Sequence, residues 1–270
     1  MIMSFTKSQI FIVRSFAAFF IAAALFSTLL SLSCSREAAK SNREMMQELI
    51  QVAGGPGADW KEAKKLSYKM VKAYPDDPLA RIMHALALEQ SGQKANALDE
   101  IKRAVELDRD NFFAQLTLGR ILHDNERYDD ALEPLRNAER LDPDDQNATV
   151  LLAKCCQLSG NYPDAIKYYA KLAKSPLFSE KPEPYNQLGV ILYKRGEYAK
   201  CKDLLVMGLK RDSSSPTVTL NLAILYDRAF NDPKRAVLLY QKFLELSLKN
   251  LSMEKKRAEV DERIKVLKQN

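Results

Sequence analysis

Small residues return along this chain at a nearly constant interval, and that interval narrows its possible folds more than any other feature. Ala63, Ala97, Ala131, Ala165, Cys201 and Ala236 follow one another at steps of 34, 34, 34, 36 and 35 residues. A second series runs beside it: Ala85, Gly119, Ala153, Gly189 and Ala223. Around each member the apolar residues fall three and four apart, as with Leu118, Gly119 and Leu122, then Ala131, Leu135 and Ala138. That is the spacing of a helix face and not the alternation of a strand. Two helices approach closely only where bulky side chains on one meet small ones on the other. One pair of helices cannot bury its apolar stripe, but a stack of pairs can. The expected fold class is therefore all-α, an α-solenoid of helix hairpins.

In the unit from Phe112 to Asp145, the residues Leu118-Gly119, Leu122, Tyr128, Ala131, Leu135, Ala138 and Pro143 resemble the tetratricopeptide repeat position by position. The resemblance covers roughly residues 44 to 250 and implies about six hairpins. These are a degenerate repeat at 44–77, then repeats at 78–111, 112–145, 146–179, 182–215 and 216–250, with a capping helix at 252–270. In the degenerate repeat Trp60 stands where Tyr is usual, and it is expected to pack rather than bind. After Ser175-Pro176 the period slips by two residues, so the loop at 177–184 is a candidate hinge or side-facing contact. Pro134 lies inside a helix and is expected to bend or fray its start.

Residues 1–33 carry Lys7 and Arg14 and no acid, and the run from Ser15 to Ser33 is uncharged and apolar. A basic start followed by an apolar middle is an export signal, and a run of that length also suits a membrane anchor. Cys34, preceded by Ser33, resembles the lipid-modified cysteine of bacterial lipoproteins, although Ser31 stands where that family usually has Leu. Either reading holds the N-terminus at a membrane, with residues 34–43 as a flexible tether. Ser35 after the cysteine implies, by the same resemblance, the outer rather than the inner membrane, facing the periplasm.

Beyond the leader, Lys and Arg outnumber Asp and Glu by 39 to 35, with no basic stripe interleaved with aromatics, so nucleic acid is not an expected partner. The chain lacks C-x-x-C, H-E-x-x-H, G-x-S-x-G and a phosphate loop, and His84 and His123 are its only histidines. No enzyme, cofactor or metal site is expected. His84 falls where other repeats carry Leu118, Leu152, Leu188 and Leu222, so it is expected to be a hydrogen-bonded core residue. Cys156 and Cys201 fall at core positions and are expected to act as small hydrophobes.

The family resemblance implies a concave face lined by the first helix of each repeat. The candidate groove residues are Phe113, Leu116, Arg120, His123, Asn147, Val150, Lys154, Gln157, Asn186, Val190, Tyr193, Leu220, Asn221 and Ile224. Amides suit a peptide backbone and the two cations suit an acidic element. The expected function is a non-catalytic, membrane-tethered scaffold for cell-envelope proteins. Two other roles fit the same features: an adaptor that docks cell-wall enzymes, and a periplasmic chaperone for unfolded clients. The export signal, the cysteine and the 175–198 junction also resemble tetratricopeptide lipoproteins of type IV pilus or secretion-channel assembly.

Overall fold

The computed structural model describes residues 34–55 and 57–269, with side chains from 42 onward. The expected signal or anchor at 1–33, and the side chain of Cys34, lie outside the described residues. Among the described residues thirteen α-helices follow one another: α1 (Cys34–Ala53), α2 (Trp60–Ala73), α3 (Pro78–Gln90), α4 (Lys94–Leu107), α5 (Phe112–Asp124), α6 (Tyr128–Leu141), α7 (Gln146–Leu158), α8 (Tyr162–Lys174), α9 (Glu183–Lys194), α10 (Tyr198–Arg211), α11 (Pro216–Arg228), α12 (Pro233–Ser247) and α13 (Glu254–Gln269). A 3-10 turn, Leu251–Met253, precedes the last. Among the described residues there is no strand, and no helix is long and apolar enough to cross a membrane.

The chain divides within α7 into two compact units, which among the described residues are 34–151 and 152–269. In the first unit α1 packs on α2, α2 on α3, α3 on α4, α4 on α5 and α5 on α6. One cluster, centred on Ala63, Met70, Ala85, Ala97, Ile101 and Ala114, runs through its helices. In the second unit α9 packs on α10 and α11 on α12, while α13 covers α12. Its core holds Leu205, Leu225, Tyr240 and Phe243, with Met253, Val260 and Ile264 contributed by the C-terminal segment.

The helices start where the side chains allow. Asp59, Asp77, Asn111, Asn161, Ser215 and Asp232 each accept a hydrogen bond from a first-turn amide that has no carbonyl partner inside the helix. Between paired helices the chain reverses through a left-handed residue: Gly92, Gly160 and Gly196 at φ 79°, 83° and 76°, with Glu126 at 61° and Asn231 at 50° in the corresponding turns. A side chain at that φ crowds its own backbone. Glu126→Gly is therefore expected to stabilise the first unit by about 0.5–1 kcal/mol, and a falling urea midpoint would refute that account.

Two local expectations change. The tether expected at 34–43 is the first half of α1; this stretch contains no Gly or Pro, and Ala38, Ala39 and Lys40 favour helix. α6 runs unbroken from 128 to 141 with Pro134 buried inside it. Pro134 deprives only the Asp130 carbonyl of its partner, and that lies in the exposed first turn, where water serves. Around the loop at 177–184, the Phe178 and Ser179 amides donate to the Ser175 carbonyl, and Arg211 donates two bonds of 3.0 Å to the Glu180 carboxylate.

Candidate functional site

Each first helix presents one face to the second helix of its hairpin and another to the next repeat. What remains open on it depends on residues a full repeat away. In the first unit Arg120, on α5, reaches back to Glu89 on α3 with bonds of 2.9 and 2.6 Å, and donates a third, of 3.2 Å, to Asp124. Both guanidinium and Glu89 carboxylate are largely enclosed, at 16% and 11% side-chain exposure. Burial opposes the charge on Arg120, but the Glu89 and Asp124 carboxylates outweigh it and hold the group above its ordinary value. Burial, in contrast, pushes the Asp124 carboxyl up, yet the bonds from His123 and Arg120 bring it below its ordinary value. Arg120 is thus already neutralised within its own unit. Leu116 is buried, while Phe113 and His123 stay half-open, as do Asn147 and Val150.

His84 lies in the core of this unit, where its Nδ1 meets Ser67 Oγ at 3.0 Å. Burial lowers its pKa, so the ring is held neutral. It is neither a base presented to solvent nor a ligand. Among the described residues no three His, Cys, Asp or Glu side chains converge as a metal site.

In the second unit the candidate amides find one another. Asn221 donates to Asn186 at 2.8 Å, Gln157 to Gln187 at 3.1 Å, and the Tyr169 hydroxyl to Gln157 at 2.7 Å. All five side chains are buried, and burial raises the Tyr169 phenol. They form a hydrogen-bonded ladder from repeat to repeat, which removes the cost of burying them. Val190, Leu220 and Ile224 are buried as well, the last two in one core cluster with Met253, Val260 and Ile264. Lys154 and Tyr193 are half-open. Of the candidate groove residues, then, Leu116, Gln157, Asn186, Val190, Leu220, Asn221 and Ile224 are taken up by packing. The helix periodicity placed them on the right element but could not say what covers them. Cys201 is fully enclosed, and burial pushes its thiol up to about 12, so it is a packing residue rather than a nucleophile.

Two functional-looking residues escaped the sequence reading. Glu89 and Asp227 stand twelfth in their first helices, counting from Pro78 and Pro216, and each pairs with an arginine one repeat on: Arg120 for the first, Arg263 of α13 for the second. A carboxylate recurring at one repeat position with an Arg about a period later was the available signal.

Family models for the tetratricopeptide repeat match residues 80–111 and 116–182. The hairpins within those residues are tetratricopeptide repeats. Among solved structures, the chain is similar to a tetratricopeptide repeat protein of Cytophaga hutchinsonii, at 18% identity and a TM-score of 0.67, over 84% of this chain and 88% of that one. It is similar to PilW, described as a widely conserved type IV pilus biogenesis factor, at 15% identity and TM-score 0.64, over 82% of this chain and 98% of PilW. YrrB, described as a tetratricopeptide protein with an unusual peptide-binding site, matches at 17% identity and TM-score 0.58, over 70% of this chain and 96% of that one. At such identities the likeness carries the fold alone. Among curated proteins none matches the chain in sequence.

Proposed function

We propose that this protein is a non-catalytic scaffold that binds other polypeptides and is held at a bacterial envelope membrane through Cys34. The observation that carries the binding half is that first helices keep half-open side chains, Phe113 and His123 in the first unit and, separately, Tyr193 in the second, while most of their other apolar side chains are buried. A stack of rigid hairpins holds such side chains in fixed places at little entropic cost to binding. Peptide binding is what the description of YrrB supports, and type IV pilus biogenesis is the system that the description of PilW suggests. The membrane half rests on the basic, apolar leader and the Ser33-Cys34 boundary.

Photoreactive residues placed at Phe113 and at His123 in cells, followed by mass spectrometry, test the binding half. Recovery of a defined envelope protein is expected; recovery of no protein from either position would count against a scaffold. In the same cells Cys34→Ala is expected to lose radiolabelled palmitate, and unchanged incorporation would remove lipidation from the reading.

A further inference from the structure

The charge that composition spreads thinly over the whole chain is divided between its units. Residues 34–151 carry 17 Lys and Arg against 22 Asp and Glu, and residues 152–270 carry 22 against 13, a net +9. Part of that excess lies at the turn ends of the last two hairpins. Lys194 closes α9, Arg228 closes α11 and Arg235 opens α12, all exposed. Among the described residues Lys194 has no carboxylate partner and rests over the Tyr162 ring at 5.8 Å. Arg228 is 3.5 Å from Asp227, but that carboxylate is already held by Arg263 at 2.6 and 2.9 Å and by the Tyr240 hydroxyl at 2.9 Å. Arg235 lies over Tyr226 at 5.5 Å, and its carboxylate partner, Asp232, is 3.5 Å away. Nearby, Arg195 and Lys200 share the single carboxylate of Glu197.

Aromatic rings run along the same end. Tyr193 lies tilted against Tyr198 with ring centres 5.5 Å apart, and Tyr226 likewise against Phe230 at 5.6 Å; Tyr198 and Phe230 are 38% and 39% exposed. Tyr and Arg together are the side chains that dominate protein–protein contacts, because each combines a flat apolar body with a polar end.

We propose that this edge, built on Lys194, Arg228, Arg235, Tyr198 and Phe230, docks an acidic polypeptide segment of a partner protein. The proposal rests on the scaffold reading and names its partner's chemistry. The cations supply charge complementarity and the forked guanidinium groups suit carboxylates. The rings give apolar contact between them. A polypeptide fits better than a lipid surface, since Tyr162 and Tyr226 lie under cations instead of projecting towards hydrocarbon. Arg120, the cation expected to grip an acidic element, is consumed by Glu89 and Asp124.

The test uses the full chain and a short fluorescent peptide alternating Glu with Phe, a Gln-for-Glu version of it, and phosphatidylglycerol vesicles. The Glu peptide is expected to bind, more weakly as salt rises, with the Gln peptide and the Lys194→Gln/Arg228→Gln/Arg235→Gln variant each weaker by about tenfold. Lys102→Gln/Arg109→Gln, exposed in the other unit, is expected to leave binding unchanged. Circular dichroism of each variant separates a lost contact from a lost fold, and Tyr198→Ala/Phe230→Ala, which keeps every charge, reports the rings separately. Equal affinity for the Gln peptide, or undiminished binding by a folded triple variant, overturns the proposal. So does triple-variant-sensitive binding confined to the vesicles. A partner crosslinked from His123 that the triple variant still retains would spare the scaffold and eliminate this edge.

Discussion

Leu135→Ala is expected to destabilise the first unit by about 2–5 kcal/mol, the usual loss when a fully enclosed leucine is cut back to its β-carbon. Leu135 is fully buried on α6 and projects onto Gly119 of α5. A β-carbon at 119 would lie 2.4 Å from both Cγ and Cδ2 of Leu135, far inside contact distance. Gly119→Ala alone should therefore cost about 1–3 kcal/mol by overpacking. The two changes together should cost less than their sum, by about 1 kcal/mol, because the added methyl enters the space the leucine leaves. Urea midpoints of the four proteins complete the cycle, with constant slopes confirming that the unfolding unit is the same. Strict additivity would show that the fit between these two residues does not hold the hairpin closed. Gly189 and Leu205 repeat the arrangement in the second unit, at 2.9 and 3.0 Å.

The second large effect is expected at the end of the chain. Asp227 of α11 is 1% exposed at its side chain, while Arg263 of α13 keeps 34%. Arg263→Ala leaves a buried carboxylate with the Tyr240 hydroxyl and the more distant Arg228, and should cost about 1–3 kcal/mol. Asp227→Ala should cost less, since the freed guanidinium can turn to water. Hydrogen exchange across 254–269 reads the effect directly, because α13 is the helix the pair fastens; unchanged protection there in Arg263→Ala would contradict the assignment. The pair also sets an acid limit. Burial pushes the Asp227 carboxyl up, but bonds from Arg263 and Tyr240 outweigh it and hold the group below its ordinary 3.8. A carboxylate depressed in the fold binds its proton more readily when unfolded. Its contribution is therefore complete above that ordinary value and is lost as pH falls through the lower folded one. In Arg263→Ala this acid-dependent loss should shrink, because the folded-state value moves back towards the unfolded one.

How far the residues alone could be read differs between fold and site. Ala97, Ala131 and Ala165 announced the second helices because a small residue is needed wherever two backbones approach, and that need repeats with the hairpin. His84 could be placed in the core from its column of leucines. Arg120 could be placed on α5 but not on Glu89, and Asn186 on α9 but not on Asn221. An amide or a guanidinium on a helix face looks alike in sequence whether it meets water, a ligand or its own neighbour. The net charge misled for a similar reason. A surplus of four beyond the leader conceals a negative first unit and a strongly positive second one.

The sequence by itself determined that this chain forms helix hairpins repeating every 34 to 36 residues, because helical spacing and the demand for small residues at close approaches act within one hairpin. Only the tertiary structure decided which first-helix side chains remain open. Their partners stand 30 to 36 residues away, as in Gln157–Gln187, Arg120–Glu89, Asn221–Asn186 and Asp227–Arg263. Such contacts depend on how one repeat is rotated and seated against the next. A shift of a single side chain's length exchanges a binding residue for a buried one.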